Sequence, residues 1–435
     1  MVVQTTKARY ETRPIRCWGK AKELKEYYYK RYAEQQGIRW AGTAWSFEAL
    51  TAGLGDDLAN LTTEPYAASI AFDSGFALRC MEATEAKGWA RDLCSYLRIY
   101  FGAMYLDEYV GGRKDPRPDF LFQTQMSSTH SKWLQHVAEY KGVPFFCIDA
   151  AVGPATQMTE NRINYLVAQM HEAIEWLQKV TGREFDDEKL IQAVHNECHI
   201  TATWARICAL NKAIPAPLDE KSMYSLYILA GLDKHAQFVV DFYDELLEEV
   251  EERVADRIAA IPNERCRLIS DCIPPWSFLK LFRYLERYGA VSVGSIYTYG
   301  LLGIWEDQPD GTLGAARTPK ELGVEMKTRD EALRVYADWA LKRPDWQHFY
   351  DFEHKNELMI RMVKEWSANG VIIHYNRGCE SSGLGIAENR LALMKAGIPV
   401  MTYEGNMADY REVDESRVLA RVDAFMESLG FAKDF

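Results

Sequence analysis

The chain has 435 residues, with 63 acidic against 51 basic side chains and a formal net charge of −12. Binding along a nucleic-acid backbone relies on clustered lysine and arginine, so this balance argues against a nucleic-acid partner while leaving room for a local basic pocket that takes a compact anion. No apolar run approaches the ~20 residues needed to span a bilayer, and a chain of this length is expected to divide into more than one core.

In chain order, the N-terminal MVVQTTKARYETRPIRC lacks the apolar stretch of a secretory signal, which predicts a cytoplasmic, reducing location and thiols that start out free. KAKELKEYYYKRYAEQ predicts a charged helix over 20–35, and IRWAGTAWSFEALTAGLG a strand passing into a helix that ends at Gly53 or Gly55. From Asp92, DLCSYLRIYFGAMYLDEYV reads as helix. PDFLFQTQ, Pro118 to Gln125, reads as a buried strand followed by the polar turn MSSTHS, the helix HSKWLQHVAEYKG stopped by Gly142, and the strand VPFFCID. Strand, helix, strand in that order implies a parallel sheet. From Ala155 to about Pro262 apolar residues recur at i, i+3, i+4, so that stretch is predicted helical throughout. Alternation then resumes, through RLISDC, PPWSFLKLFRYLERYG and AVSVGSIY, and again through ELMIRMVKEWSANG, VIIHYN, GIAENRLALMKAG and IPVMTYEG. The expected fold is α/β, with two Rossmann-like parallel-sheet lobes at 1–154 and 263–435 joined by a helical segment at 155–262.

In open parallel sheets ligands sit beyond the carboxyl ends of the strands, which selects three loops: Met126 to Ser131, Asp271 to Pro275, and Asn376 to Gly385. The last carries Cys379 between Arg377 and the glycines Gly383 and Gly385, a setting expected to depress a thiol pKa. Cys94 stands at a helix start, where the dipole acts the same way. Against both stands plain packing, because the nine cysteines are scattered singly with no C-x-x-C pair and most should be small buried apolar side chains. HNECH places His195 and His199 on one helix face as a metal candidate, but Glu197 and Cys198 point elsewhere and the segment reads as an amphipathic core helix. The acidic run LEEVEER is a solvated helix face. Neither a dinucleotide fingerprint nor a Walker A loop is present in the sequence.

DLCSYLR with the following Phe101 and Gly102, PDFLFQTQ with Lys132 and Trp133 after it, VPFFCID, IIHYNRGCE, AGIPVMTYEGNMADYRE and SRVLARVDAFMESLG together resemble the 2-hydroxyacyl-CoA dehydratase D-component and benzoyl-CoA reductase family. The resemblance runs from about Arg39 to Gly430 and in detail is most similar to the B (beta-type) subunits of ATP-dependent, class I benzoyl-CoA reductases. It implies a low-potential [4Fe-4S] cluster held by three cysteines from separate loops, with Cys94 and Cys379 at two of those positions. The third is expected after PDFLFQTQ, where this chain reads MSSTHS. Cys147, on a neighbouring strand ~4.8 Å away, is the nearest replacement, with His130 and Ser127 as alternatives. Arg377 and Arg390 are candidate partners of a CoA diphosphate. The resemblance further implies a homologous second catalytic subunit, an ATP-hydrolysing electron-activating subunit pair, ferredoxin as electron source, and reduction of an aryl-CoA ring to a cyclic dienoyl-CoA. Two alternatives stand beside it: a 2-hydroxyacyl-CoA dehydratase subunit, and a cluster-free partner subunit that shapes the CoA-ester cleft.

Overall fold

The computed structural model describes residues 10–434 apart from 45, 152, 154–158, 349 and 350. The first nine residues and the expected division between 154 and 155 therefore lie outside the described residues. In chain order the strands are β1 (Ile38–Gly42), β2 (Leu58–Thr62), the short pair β3 (Glu108–Tyr109) and β4 (Arg113–Lys114), β5 (Phe120–Gln125), β6 (Phe145–Asp149), β7 (Cys266–Asp271), β8 (Ala290–Ser295), a second short pair β9 (Trp305–Asp307) and β10 (Leu313–Ala315), β11 (Gly370–Asn376) and β12 (Val400–Gly405).

Two four-stranded sheets result, ordered β2-β1-β5-β6 and β12-β11-β7-β8, and every neighbouring pair in them is parallel. The expected pair of parallel-sheet lobes is present. Both sheets follow one plan: the second strand lies to one side of the first, and the third and fourth lie to the other. The chain therefore reverses direction between β1 and β5, and again between β7 and β11. Loops leaving the two strands at such a point diverge and open a crevice beyond their carboxyl ends. The strands are apolar because helices cover both faces: β8 is buried along its whole length, and Tyr375 is the one exposed side chain of β11.

The helices Glu160–Thr181, Asp187–Leu210 and Gln237–Ala255 fill the stretch between the sheets. Asp186 starts the second by accepting the N–H groups of Glu188 and Lys189, satisfying donors with no partner inside the helix. The same helix is tied to the C-terminal lobe by Trp204 Nε1, which donates to the Thr298 carbonyl at 2.8 Å, and by its Cys208 carbonyl, which accepts from Trp366 Nε1 at 3.2 Å.

Two local differences from the sequence expectation bear on the site. The helix expected from Asp92 begins at Ser95, because Cys94 is extended (φ −44°, ψ 122°) and occupies the cap position. Strand β2 and the helices Thr63–Ala71 and Ser74–Ala86, which the apolar pattern did not reveal, complete the first lobe. Gly102 of the Ser95–Leu106 helix crosses the Ser74–Ala86 helix so closely that a Cβ would lie 1.9 Å from the Cys80 carbonyl oxygen. Any side chain there pushes the helices apart, and with them the Cys94 loop.

Candidate functional site

The two crevices face one another across a cavity of about 260 Å³. Ala44 after β1 and Ser127 after β5 line it from the first lobe; Ile273 after β7 and Cys379 after β11 line it from the second. Both switch points thus open into one space. Its walls are aromatic: Tyr96 accepts a hydrogen bond from Trp276 Nε1, and the Tyr227 and Tyr297 hydroxyls meet at 2.8 Å. This mainly apolar lining with a few polar groups suits an organic ligand.

Cys94 and Cys379 both line the cavity, although 285 positions of sequence separate them. Gly378 makes the approach of their loops possible. Its φ of +76° is a conformation that favours glycine, and a Cβ would sit 3.1 Å from the Leu93 carbonyl oxygen. A clamp from the loop after β12 holds both sides. The Asn406 side chain donates to the Arg377 carbonyl at 3.1 Å, and Met407 N–H donates to Asn376 at 2.8 Å, which fixes the Cys379 loop. Asp409 accepts two 3.1 Å hydrogen bonds from the Arg98 guanidinium, whose Nε donates to the Leu93 carbonyl beside Cys94.

The expected thiol activation is not what the structure gives. Burial pushes both Cys94 and Cys379 up to about 11; the first-turn N–H groups of Tyr96 and Leu97 counter only part of it at Cys94, and Ser382 only part at Cys379. Arg377, expected to face Cys379, is exposed and pairs with Glu404 at 3.1 Å. Desolvation therefore outweighs the local donors. Cys272, in the loop after β7, joins this end of the site: its sulfur lies 3.2 Å from the Ser382 hydroxyl, which also contacts Cys379 Sγ at 3.0 Å. Its φ of +74° is rare for a non-glycine residue.

A polar side chain on the cavity wall, Glu64, went unrecognised in the sequence, although its partner His130 was a candidate ligand there. Glu64 and His130 face each other at 2.6 Å, both largely buried. Burial alone would raise the Glu64 carboxyl, but the His130 ring and the Thr63 hydroxyl outweigh it and hold it below the ordinary carboxylate value. The available signal was TTEPY, a carboxylate set directly after a strand with proline in the first helical turn.

His374 of β11 ties that strand to the loop after β7 that carries Cys272 and Ile273. Its Nδ1–H donates to the Ile273 carbonyl at 2.7 Å, the ring stacks on Tyr403 at 4.8 Å, and burial lowers its pKa to about 4. The folded value lies below the unfolded value of about 6.5, so the contribution to stability is present above pH 6.5 and is lost as pH falls toward 4. On the order of 3 kcal/mol is expected over that window. Urea unfolding followed between pH 7 and pH 4 should show a shallower acid decline in His374→Gln than in the native chain; identical slopes would remove His374 from the acid response.

The donor set does not make a three-thiolate cluster site. Cys94 and Cys379 supply two thiols, while Ser127 stands where the third is expected and His130 is engaged with Glu64. Cys147 does not line the cavity; it pairs in register with Gln123, whose Nε2 donates to the Cys147 sulfur at 3.3 Å and to the His130 carbonyl at 2.7 Å. Among the described residues no group of three or more His, Cys, Asp or Glu side chains is placed to hold a metal ion. In HNECH, His199 pairs with Asp244 at 2.7 Å near the surface and buried Glu197 accepts from the Tyr336 hydroxyl, so each already has a protein partner. Arg377 and Arg390 do not line the cavity.

Twin parallel-sheet lobes with their switch points opposed across one aromatic cavity define a two-lobed α/β chain. A family model described as 2-hydroxyglutaryl-CoA dehydratase, D-component, matches residues 66–429, and the chain belongs to that family. It is 25% identical over 378 residues to the (R)-phenyllactyl-CoA dehydratase alpha subunit of Clostridium sporogenes, covering 85% of each chain. With the (R)-2-hydroxyisocaproyl-CoA dehydratase alpha subunit of Clostridioides difficile it shares 23% identity over 414 residues and 93% of each chain. With the lactoyl-CoA dehydratase subunit alpha of Anaerotignum propionicum it shares 23% over 390 residues and 86% of each. These relatives are dehydratase subunits, so the dehydratase alternative is better supported than the aryl-CoA reductase reading favoured by the sequence. No helix among the described residues is long and apolar enough to cross a membrane.

Proposed function

We propose that the chain is a subunit of a 2-hydroxyacyl-CoA dehydratase and that the cavity between its lobes receives the acyl-CoA thioester. The observation that carries this reading is the cavity itself, placed at both switch points and bounded by Cys94 and Cys379 in a chain of the dehydratase family. The aromatic walls exclude water from the ester. The Glu64–His130 pair, at 2.6 Å, is placed to take or return a proton during loss of water from the 2-hydroxyacyl group. With serine at the third thiol position, the chain acts as the subunit that shapes the ester cleft, and the cluster chemistry falls to a homologous partner subunit. The alpha-subunit designation of the relatives supports such a hetero-oligomer. An ATP-hydrolysing activator drawing on ferredoxin is the matching electron source, and the three-part division at 1–154, 155–262 and 263–435 belongs to the same reading.

The test is anaerobic turnover by the assembled complex with ATP and a reduced electron donor. A series of 2-hydroxyacyl-CoA substrates should yield 2-enoyl-CoA without net consumption of electrons. If benzoyl-CoA is instead converted to a cyclic dienoyl-CoA at two electrons per product while the hydroxyacyl esters are inert, the aryl-CoA reductase reading replaces this one.

A further inference from the structure

The helix Cys17–Glu34 lies ahead of the segment that the family model matches, yet it forms part of the cavity wall. Trp18, Ala21, Lys22 and Lys25 line the cavity, and they fall at i, i+3, i+4 and i+7, one face of the helix. Farther along, the same stripe continues as Tyr28, Tyr29 and Tyr32, which are buried in the core. At the cavity end Ala21 stays buried while Trp18 and Lys22 are exposed and Lys25 is half-buried, so this part of the stripe borders the opening. The helix is firmly seated there, because the Glu249 carboxylate accepts the N–H groups of Arg16 at 2.7 Å and Cys17 at 2.9 Å.

This end of the cavity is its exposed end. Trp18 is 41% exposed and Phe72, across the opening, 59%, while Tyr96 and Trp133 farther in are buried. The charge pattern of the helix is uneven. Lys20 and Lys30 are each paired, with Glu245 and Glu34, whereas Lys22 and Lys25 make no ion pair among the described residues. Partial burial lowers the Lys25 pKa, and the like charge of Lys22 adds to the effect. Two ammonium groups three residues apart on one helix face repel each other. A chain carrying 63 acidic side chains leaves these two cavity-lining lysines without a carboxylate in ion-pair reach among the described residues. An anionic ligand group placed between them relieves that repulsion, and Lys is an effective point-charge partner for phosphate.

We propose that Lys22 and Lys25 are the anchor for the phosphates of coenzyme A, with the Trp18 indole as the stacking platform for its adenine. This rests on the acyl-CoA reading above and deepens it. The pantetheine arm then runs inward along the aromatic walls and carries the thioester toward Cys94 and Cys379. Anchoring in this way spends binding energy at the distal end of the ligand and leaves the reacting end free to be positioned by the inner groups. Base stacking on an exposed indole tolerates any purine face and needs no further donors.

Calorimetric titration of the full chain with coenzyme A and, separately, with pantetheine tests this. The Lys22→Gln/Lys25→Gln double variant keeps the helix stripe and should bind coenzyme A at least about tenfold more weakly than the native chain. Its affinity for pantetheine should be unchanged, and raising the salt concentration should shrink the gap for coenzyme A. Trp18→Ala should also weaken coenzyme A binding without touching pantetheine. If native and double-variant chains bind coenzyme A equally, the anchor is overturned and the acyl-CoA reading stands. Equal losses for both ligands also overturn it, because the lysines then merely shape the cavity. If the native chain binds neither ligand, the acyl-CoA reading itself falls and takes the anchor with it.

Discussion

Replacing Asp409 with alanine is expected to destabilise the chain by about 3 kcal/mol, measured as a shift in the urea unfolding midpoint. Arg98 and Asp409 are both 0% exposed, and the guanidinium donates twice to one carboxylate oxygen. Removing the carboxylate leaves a buried cation without its main counter-charge, which costs far more than loss of a surface pair. Glu85, 3.1 Å from Arg98, remains and keeps the cost at the lower end of the range for such breaks. The effect is also functional, since this pair joins the Cys94 loop to the loop that holds Cys379. Burial would raise the Asp409 carboxyl, but Arg411 and Arg98 hold it below its ordinary value. The contribution is therefore present at neutral pH and lost as pH falls through the folded value. A midpoint shift equivalent to less than ~1 kcal/mol, the range of exposed pairs, would show that the clamp does not hold the lobes.

Ser127→Cys is expected to turn a chain that retains little iron into one that holds a cluster. Cluster iron is bound by thiolates, and a serine hydroxyl is a far poorer ligand at neutral pH. With Cys94 and Cys379 already lining the cavity beside Ser127, a third thiol completes the donor set from three loops. After anaerobic reconstitution and desalting, the native chain should carry well under one cluster. The variant should approach four irons and four sulfides per chain, the content of one [4Fe-4S] cluster, with the visible absorption of iron–sulfur bonds. A full cluster in the native chain would show that Ser127, His130, Cys147 or Cys272 already serves as the third ligand, and the cleft-shaping role would fall.

The alternation of strands and helices determined the two parallel-sheet lobes and the helical stretch between them, because period 2 and period 3.6 patterns report local backbone geometry. The sequence motifs also singled out Cys94 and Cys379, which the structure sets on one cavity. Strand β2 escaped because LANLT is short and lacks a clean alternation, and with it went Glu64, three residues from the strand's buried Leu61. Three features needed the tertiary structure. The Arg98–Asp409 clamp joins residues 311 positions apart, a pairing that no local pattern records. The thiol pKa values turned upward because burial depends on what packs over a residue, and flanking glycines and an arginine do not report it. The lysines Lys22 and Lys25 read in the sequence as two of many charges on a helix. Their place comes from the fold, which seats the apolar side of that helix in the core and sets Lys22 and Lys25 on the wall of the cavity.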